Sequence, residues 1–311
     1  MTVADKYLQV HGLFSNLSFE KFCSEIPEFY FKKEVPEDVV QNFEIVERLL
    51  AFSYYEYKLI DEAYAKAIHS FEMAMSIRYK ELNLPLSNGK LVFDFLIRSL
   101  NEQNCFDTDI TVLMQVKQMR NHFSHPERHS FGGAVYWNRV EFISRLVNEM
   151  YEDIALRIDR RKIAGEFIVR KQELDLDKFV VMRIGMAKPI ILFNVALLWI
   201  NNKRSPCTYL IEYTPLFDLT YETEGQIKGP EIFGLKIINP IFTAREFIAT
   251  DFITGETVSF SSVTDNPEQI NQFQNWKAKY DSISWNFMYE QSIRMWSSEI
   301  LVPELQEFQK M

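Results

Sequence analysis

Residues 178–200 read KFVVMRIGMAKPIILFNVALLWI and are dominated by β-branched, aliphatic and aromatic residues in short runs. Such runs are typical of buried strands. Similar runs are EFIVRK from residue 166, CTYLIEY from 207, EIFGLKII from 231, EFIATDFI from 246 and ETVSF from 256. Turn residues punctuate them, and few helical segments intervene, so the pattern predicts an antiparallel sheet joined by hairpins. A helical pattern returns after residues 266–268 and is expected to end at Pro303, either unbroken or with a break near residues 281–284.

The first half of the chain shows helical periodicity instead. Apolar residues recur at intervals of three or four in residues 39–50, 60–82, 91–96, 107–125 and 136–158. Helices joined by short connections form a bundle. We therefore predict an α+β protein with two domains: a helical bundle over residues 1–162, and a β-rich domain with a C-terminal helix over residues 163–311.

Composition excludes several classes of protein. The 311 residues carry a formal net charge of -9, and 14% of them are aromatic, which is too much apolar surface for a disordered chain. An acidic chain has no overall field that attracts nucleic acid, so any contact with phosphate depends on a local basic patch. The three cysteines lie far apart, which fits neither a disulfide framework nor a cysteine zinc site. The longest apolar run, residues 189–200, is shorter than the ~20 residues of a membrane span. With no signal-peptide pattern at the N-terminus, these features predict a cytoplasmic protein without a membrane role.

One short motif carries chemistry. The chain has five histidines, and three of them fall within the segment MRNHFSHPERH, residues 119–129. Asn121 and His125 are four residues apart and share a helix face, while Pro126 releases the end of the helix. Arg120 can donate two parallel hydrogen bonds to a phosphate, and His125 can transfer a proton near neutral pH. RNA cleavage through attack of the ribose 2′-OH needs that pair of groups and needs no metal.

A helical bundle with Arg120, four intervening residues and then His125 resembles the HEPN family (higher eukaryotes and prokaryotes nucleotide-binding domains). The resemblance covers about residues 37–158. It implies a metal-independent endoribonuclease with no cofactor, in which Arg120 stabilises the phosphate, His125 transfers the proton and Asn121 orients one of the two. It also implies a homodimer formed through the helical domain, RNA as the substrate, and a role as a toxin or anti-phage abortive-infection effector with an antitoxin or regulatory protein as partner.

Five further residues are candidates for binding the RNA backbone or bases. The basic cluster after the last predicted helix could follow the RNA toward the motif, and two histidines flank His125. These candidate substrate-binding residues are His122, His129, Arg157, Arg160 and Arg161. His69, next to the apolar stripe of the second predicted helix, is expected to be a core or interface histidine.

Other interpretations, some of them purely structural, are open for the same residues. Arg120 and His125 can simply cap the C-terminal end of a helix, whose dipole favours cations. His122, His125 and His129 can hold zinc, although Pro126 disturbs their spacing. A non-catalytic HEPN-like module that binds RNA, a nucleotide or a protein, and a structural protein with no nucleic-acid role, are the alternatives to an enzyme.

Overall fold

The computed structural model describes residues 8–85, 92–123, 137–176, 179–216, 222–223, 226–227, 232–263, 267–282 and 300–308. The chain divides after Arg157 into two units, Met1–Arg157 and Ile158–Gln309. The division falls inside a helix, whereas the sequence pattern predicts a boundary after residue 162. Within the described ranges, no helix combines the length and the apolar character that crossing a bilayer requires.

The first unit consists of helices, as the sequence predicts. Its helices are α1 (Phe19–Cys23), α2 (Glu37–Phe52), α3 (Leu59–Glu81), α4 (Phe93–Glu102), α5 (Ile110–Phe123) and α6 (Trp137–Met150), followed by the start of α7 (Ile154–Glu173). The stripe predicted for α2 is fully buried: Val39, Phe43, Val46 and Leu50 are 0–1% exposed. Helix α3 packs against α2, α4, α5 and α6 and is buried on most of its circumference. The core of the unit therefore surrounds α3.

The single long helix predicted over residues 136–158 is instead two helices, α6 and α7. Helix α6 ends at Met150, and the side chain of Asp153 accepts hydrogen bonds from the backbone N–H groups of Ala155 (2.7 Å) and Leu156 (3.2 Å). An aspartate in this position caps the start of a new helix. The apolar stripe continues across the break, which is why periodicity alone does not reveal it.

The second unit is built around a closed antiparallel barrel. Its strands are β1 (Val180–Ile184), β2 (Ile190–Asn201), β3 (Thr208–Pro215), β6 (Phe233–Phe242), β7 (Glu246–Asp251) and β8 (Thr257–Ser262), in that order, and β1 pairs with β8. A separate pair, β4 (Glu222–Thr223) with β5 (Gln226–Ile227), completes the described strands. The predicted antiparallel arrangement is confirmed. Closure leaves the barrel without an exposed edge strand.

Two sequence expectations for this unit are wrong. The run EFIVRK belongs to helix α7, and its Phe167 is 4% exposed in the barrel core, so burial of a helix face outweighs its β-like composition. Pro303 does not end the C-terminal helix either. Helix α8 spans Pro267–Ser282, and residues 300–308, on both sides of Pro303, are helical. The part beyond the proline is held on the barrel, where Nζ of Lys203 donates to the carbonyl of Phe308 at 2.9 Å.

Candidate active site

Helix α5 places the motif at its C-terminal end. Leu113 and Val116 face the core, and Arg120 follows Val116 by four residues, so it emerges from the border of the buried stripe. Asn121, the next residue, is exposed. This position leaves the polar groups of the last turn accessible while the apolar stripe holds the helix in place.

Arg120 is held in a fixed orientation by Glu72 of helix α3. Its Nε donates to Oε2 of Glu72 at 3.1 Å, and its Nη2 donates to Oε1 at 3.2 Å. Two parallel bonds of this kind define the plane of the guanidinium. The side chains remain 33% and 23% exposed, respectively. The contact therefore orients Arg120 without removing it from solvent.

A second cation on α5 has a carboxylate partner of its own. Lys117, three residues before Arg120, donates to Oδ1 of Asp94 at 2.8 Å, and Arg98 also binds that carboxylate. Hydrogen bonds from Lys117 and then Arg98 lower the pKa of Asp94. Lys117 is thus an ion-paired neighbour of Arg120 on the same helix, which makes it a useful control.

The structure describes only some of the remaining histidines of the motif. His122 is half-buried, and its ring meets that of Phe123 edge-on, with centroids 5.7 Å apart. Phe123 also packs edge-on against Tyr64 of α3 at 5.7 Å. His125 and His129 lie outside the described residues, so the distance between Arg120 and His125 stays a prediction.

Two of the three candidate RNA-binding arginines are buried inside the protein. The Arg157 side chain is 0% exposed and binds the carboxylates of Glu152 (Nη2–Oε2 3.0 Å) and Asp107 (Nε–Oδ2 3.6 Å). Arg160 is 4% exposed, with its guanidinium carbon 4.3 Å from the ring centroid of Trp199. A side chain buried in ion pairs does not reach an RNA backbone in solvent, so the expected binding role is corrected for Arg157. Arg160 is covered in this structure by the rings of Trp199 and Phe308. Arg161 is exposed, as expected of a surface cation.

Two further residues share the accessible strip of helix α3. Glu72 was not singled out, although it lies on the narrow accessible strip of a helix that is otherwise buried. His69 is exposed three residues before Glu72 on the same helix, so the core position expected for it is wrong, while an interface position stays a prediction. Both residues fall on the polar side of the apolar periodicity of α3, so the sequence pattern already contains a signal for this strip. Among the described residues, no three His, Cys, Asp or Glu side chains converge in a way that could hold a metal ion.

If the expected RNA cleavage occurs and Glu72 positions Arg120 for it, we expect Glu72→Gln to lower kcat about tenfold while KM changes little, since a small misplacement of a catalytic group slows chemistry strongly. The free energy of unfolding falls by no more than about 1 kcal/mol, because the ion pair is partly exposed. Steady-state cleavage kinetics and urea unfolding measure the two effects.

The matched control for this substitution is Asp94→Asn. It removes the carboxylate partner of Lys117, which lies on the same helix as Arg120. We expect its kcat to stay within about twofold of the unmodified protein, because Asp94 does not contact Arg120. Equal losses of kcat in Glu72→Gln and Asp94→Asn would assign Glu72 a purely structural role.

Comparison of the sequence with models of known protein families finds no match, and comparison with curated protein sequences finds none either.

Proposed function

We propose that this protein is a metal-independent endoribonuclease, acting in the cytoplasm as a homodimer, whose site contains Arg120, Asn121 and His125. The observation that carries the proposal is the oriented guanidinium of Arg120 at the accessible end of α5, beside exposed Asn121. A guanidinium whose plane is set in advance loses little freedom when it binds a phosphate. The similarity of the motif to that of HEPN ribonucleases supports the same conclusion.

The proposed reaction is a transesterification. The ribose 2′-oxygen attacks the adjacent phosphorus, the bond from phosphorus to the 5′-oxygen breaks, and the products are a 2′,3′-cyclic phosphate and a 5′-hydroxyl. One imidazole accepts the proton of the 2′-OH, and a proton is returned to the leaving oxygen. His125 of each protomer supplies these steps, and Arg120 stabilises the charge that develops on the phosphorane.

The experiment is incubation of the purified full chain with a structured RNA in excess EDTA, followed by analysis of the product ends. We expect internal cleavage and cyclic phosphate termini. A substrate with a 2′-deoxyribose at the cleaved position should resist, because the attacking oxygen is missing. Absence of cleavage, or cleavage that requires added metal, would refute the proposal.

A second candidate is a non-catalytic module that binds RNA, a nucleotide or a protein. One observation favours it over the nuclease: Nε and Nη2 of Arg120 already donate to Glu72, which leaves fewer donors for the charge of a phosphorane. Binding without any cleavage in the EDTA assay would select this candidate. The biological setting proposed for the nuclease, a toxin or anti-phage effector with an antitoxin or regulatory partner, depends on cleavage.

A further inference from the structure

The outer face of the barrel carries a row of side chains that crosses neighbouring strands. Trp199 of β2 pairs with Leu210 of β3, and Leu210 pairs with Lys236 of β6. The backbone N–H of Phe252 donates to the carbonyl of Lys236 at 2.8 Å. The row therefore has an aromatic residue at each end and a cation between them.

Four cations gather on this face. The guanidinium carbon of Arg204 lies 5.0 Å from the ring centroid of Phe252, and Nζ of Lys236 lies 5.1 Å from it. Arg160 covers Trp199, and Lys203 follows β2. In a chain of net charge -9, this face is a concentrated basic and aromatic patch.

The C-terminal helix, residues 300–308, covers this patch with one of its faces. Ile300, Glu304, Glu307 and Phe308 have the spacing of a single helix face. Lys236 Nζ lies 2.5 Å from Oε1 of Glu304 and 3.2 Å from Oε2 of Glu307. The other carboxylate oxygen of Glu307 contacts Arg204. The helix thus sets two carboxylates on the cations of the barrel.

Phe308 fills the other end of the patch. Its ring packs edge-on against Trp199, with centroids 5.4 Å apart, and Lys203 Nζ lies 4.3 Å from its centroid. The guanidinium carbon of Arg160 is 5.0 Å from the same centroid. The residue is only 3% exposed. The indole edge and the two cations thus form a subsite for a flat aromatic ring, a shape that a nucleic-acid base shares.

At the opposite end, the helix approaches β6 closely. A Cβ on Gly234 would lie 2.5 Å from Cγ2 of Ile300, well inside van der Waals contact. The absence of a side chain at position 234 therefore admits the helix in this position. A larger residue there would displace Ile300 without changing any charge of the patch.

We propose that this barrel face binds single-stranded RNA, and that the C-terminal helix occupies the same face as an intramolecular competitor. Cations spaced between aromatic rings are what such strands require: phosphates replace the carboxylates of Glu304 and Glu307, and a base replaces the ring of Phe308. The choice of RNA as ligand rests on the proposed function. A competitor that must leave before the ligand binds lowers the apparent affinity by the fraction of time the face is open.

Two variants of the full chain release the helix by independent means. Gly234→Val displaces Ile300, and Glu304→Gln with Glu307→Gln removes the carboxylates. The control, Glu173→Gln with Glu268→Gln, makes the same change of charge at exposed positions of α7 and α8. Every protein, including the parent, also carries His125→Ala, so that the RNA stays intact. Hydrogen exchange of residues 300–308 verifies release.

The probe is a fluorescent single-stranded RNA of about twenty nucleotides, long enough for one binding site, and the measurement is its anisotropy. We expect both release variants to bind the RNA about tenfold more tightly than the parent, which is within the usual range of coupling free energies between two binding events. The RNA affinity of the control should stay within about twofold of the parent. Adding Arg204→Gln and Lys236→Gln to a release variant should cancel the gain. It should also reduce the salt slope by about 0.7 for each phosphate that is no longer neutralised.

Three results would overturn the inference: released helices with unchanged RNA affinity, an equal gain in the control, or a gain that survives replacement of Arg204 and Lys236. Tighter binding of a polyglutamate peptide but not of RNA would also overturn it and would assign the face to acidic peptides. Because binding is measured without cleavage, failure of the EDTA assay leaves this result intact, and the reverse also holds.

Discussion

Arg157→Met is expected to lower the free energy of unfolding of the helical unit by about 3–5 kcal/mol, the usual cost of removing one partner from a buried ion pair. The substitution leaves the carboxylate of Glu152, 3% exposed, without its guanidinium. The backbone carbonyls of Asn104 and Glu149 also lose their Arg157 donor. Urea unfolding followed by far-UV circular dichroism, which is dominated by the helices, measures the loss.

Arg161→Met is the matched control for this prediction. It removes the same charge from the same helix at an exposed position and should change the stability by less than about 0.5 kcal/mol. Combining Arg157→Met with Glu152→Leu should recover part of the loss, because the buried carboxylate that has lost its guanidinium is then absent. Similar stabilities for Arg157→Met and Arg161→Met would contradict the structural role assigned to Arg157.

Arg157 also illustrates what the sequence could not show. Arg157 and Arg161 look alike in a run of basic residues, but the partners that bury Arg157 include Asp107 and the carbonyl of Asn104, some fifty positions earlier. Such pairings depend on how the helices pack. In contrast, the stripe from Val39 to Leu50 was predictable because helical periodicity is local.

The candidate site shows the same contrast between local features, which the sequence reveals, and distant partners, which it does not. The position of Arg120 near the end of a helix followed from the apolar stripe and from the proline at 126, both local features. Its partner Glu72 lies on another helix, 48 residues away, and became visible only in the structure. The barrel is similar: alternation of strands and turns predicts antiparallel pairing, but the pairing of β1 with β8 that closes it joins distant residues.

Arg120→Ala and His125→Ala are each expected to reduce RNA cleavage in EDTA by about 10²–10⁴-fold, the range for losing a group that transfers a proton or stabilises a developing charge. The double variant should be little worse than either single variant, since residues that act in one step are not additive. Arg120→Lys should remain strongly impaired, because an ammonium keeps the charge but cannot form the paired hydrogen bonds of a guanidinium. Single-turnover cleavage rates measure these losses directly.

The control separates catalysis from the general effect of a cation at a helix end. Lys117→Ala removes a neighbouring charge of α5 that is tied to Asp94 and should leave the cleavage rate within about threefold. If Arg120 only favours the helix dipole, Arg120→Ala and Lys117→Ala will have similar small effects on cleavage, and Arg120→Lys will behave like the unmodified protein. A loss confined to Arg120 and His125, in proteins whose unfolding transitions are unchanged, would assign both groups to the cleavage step.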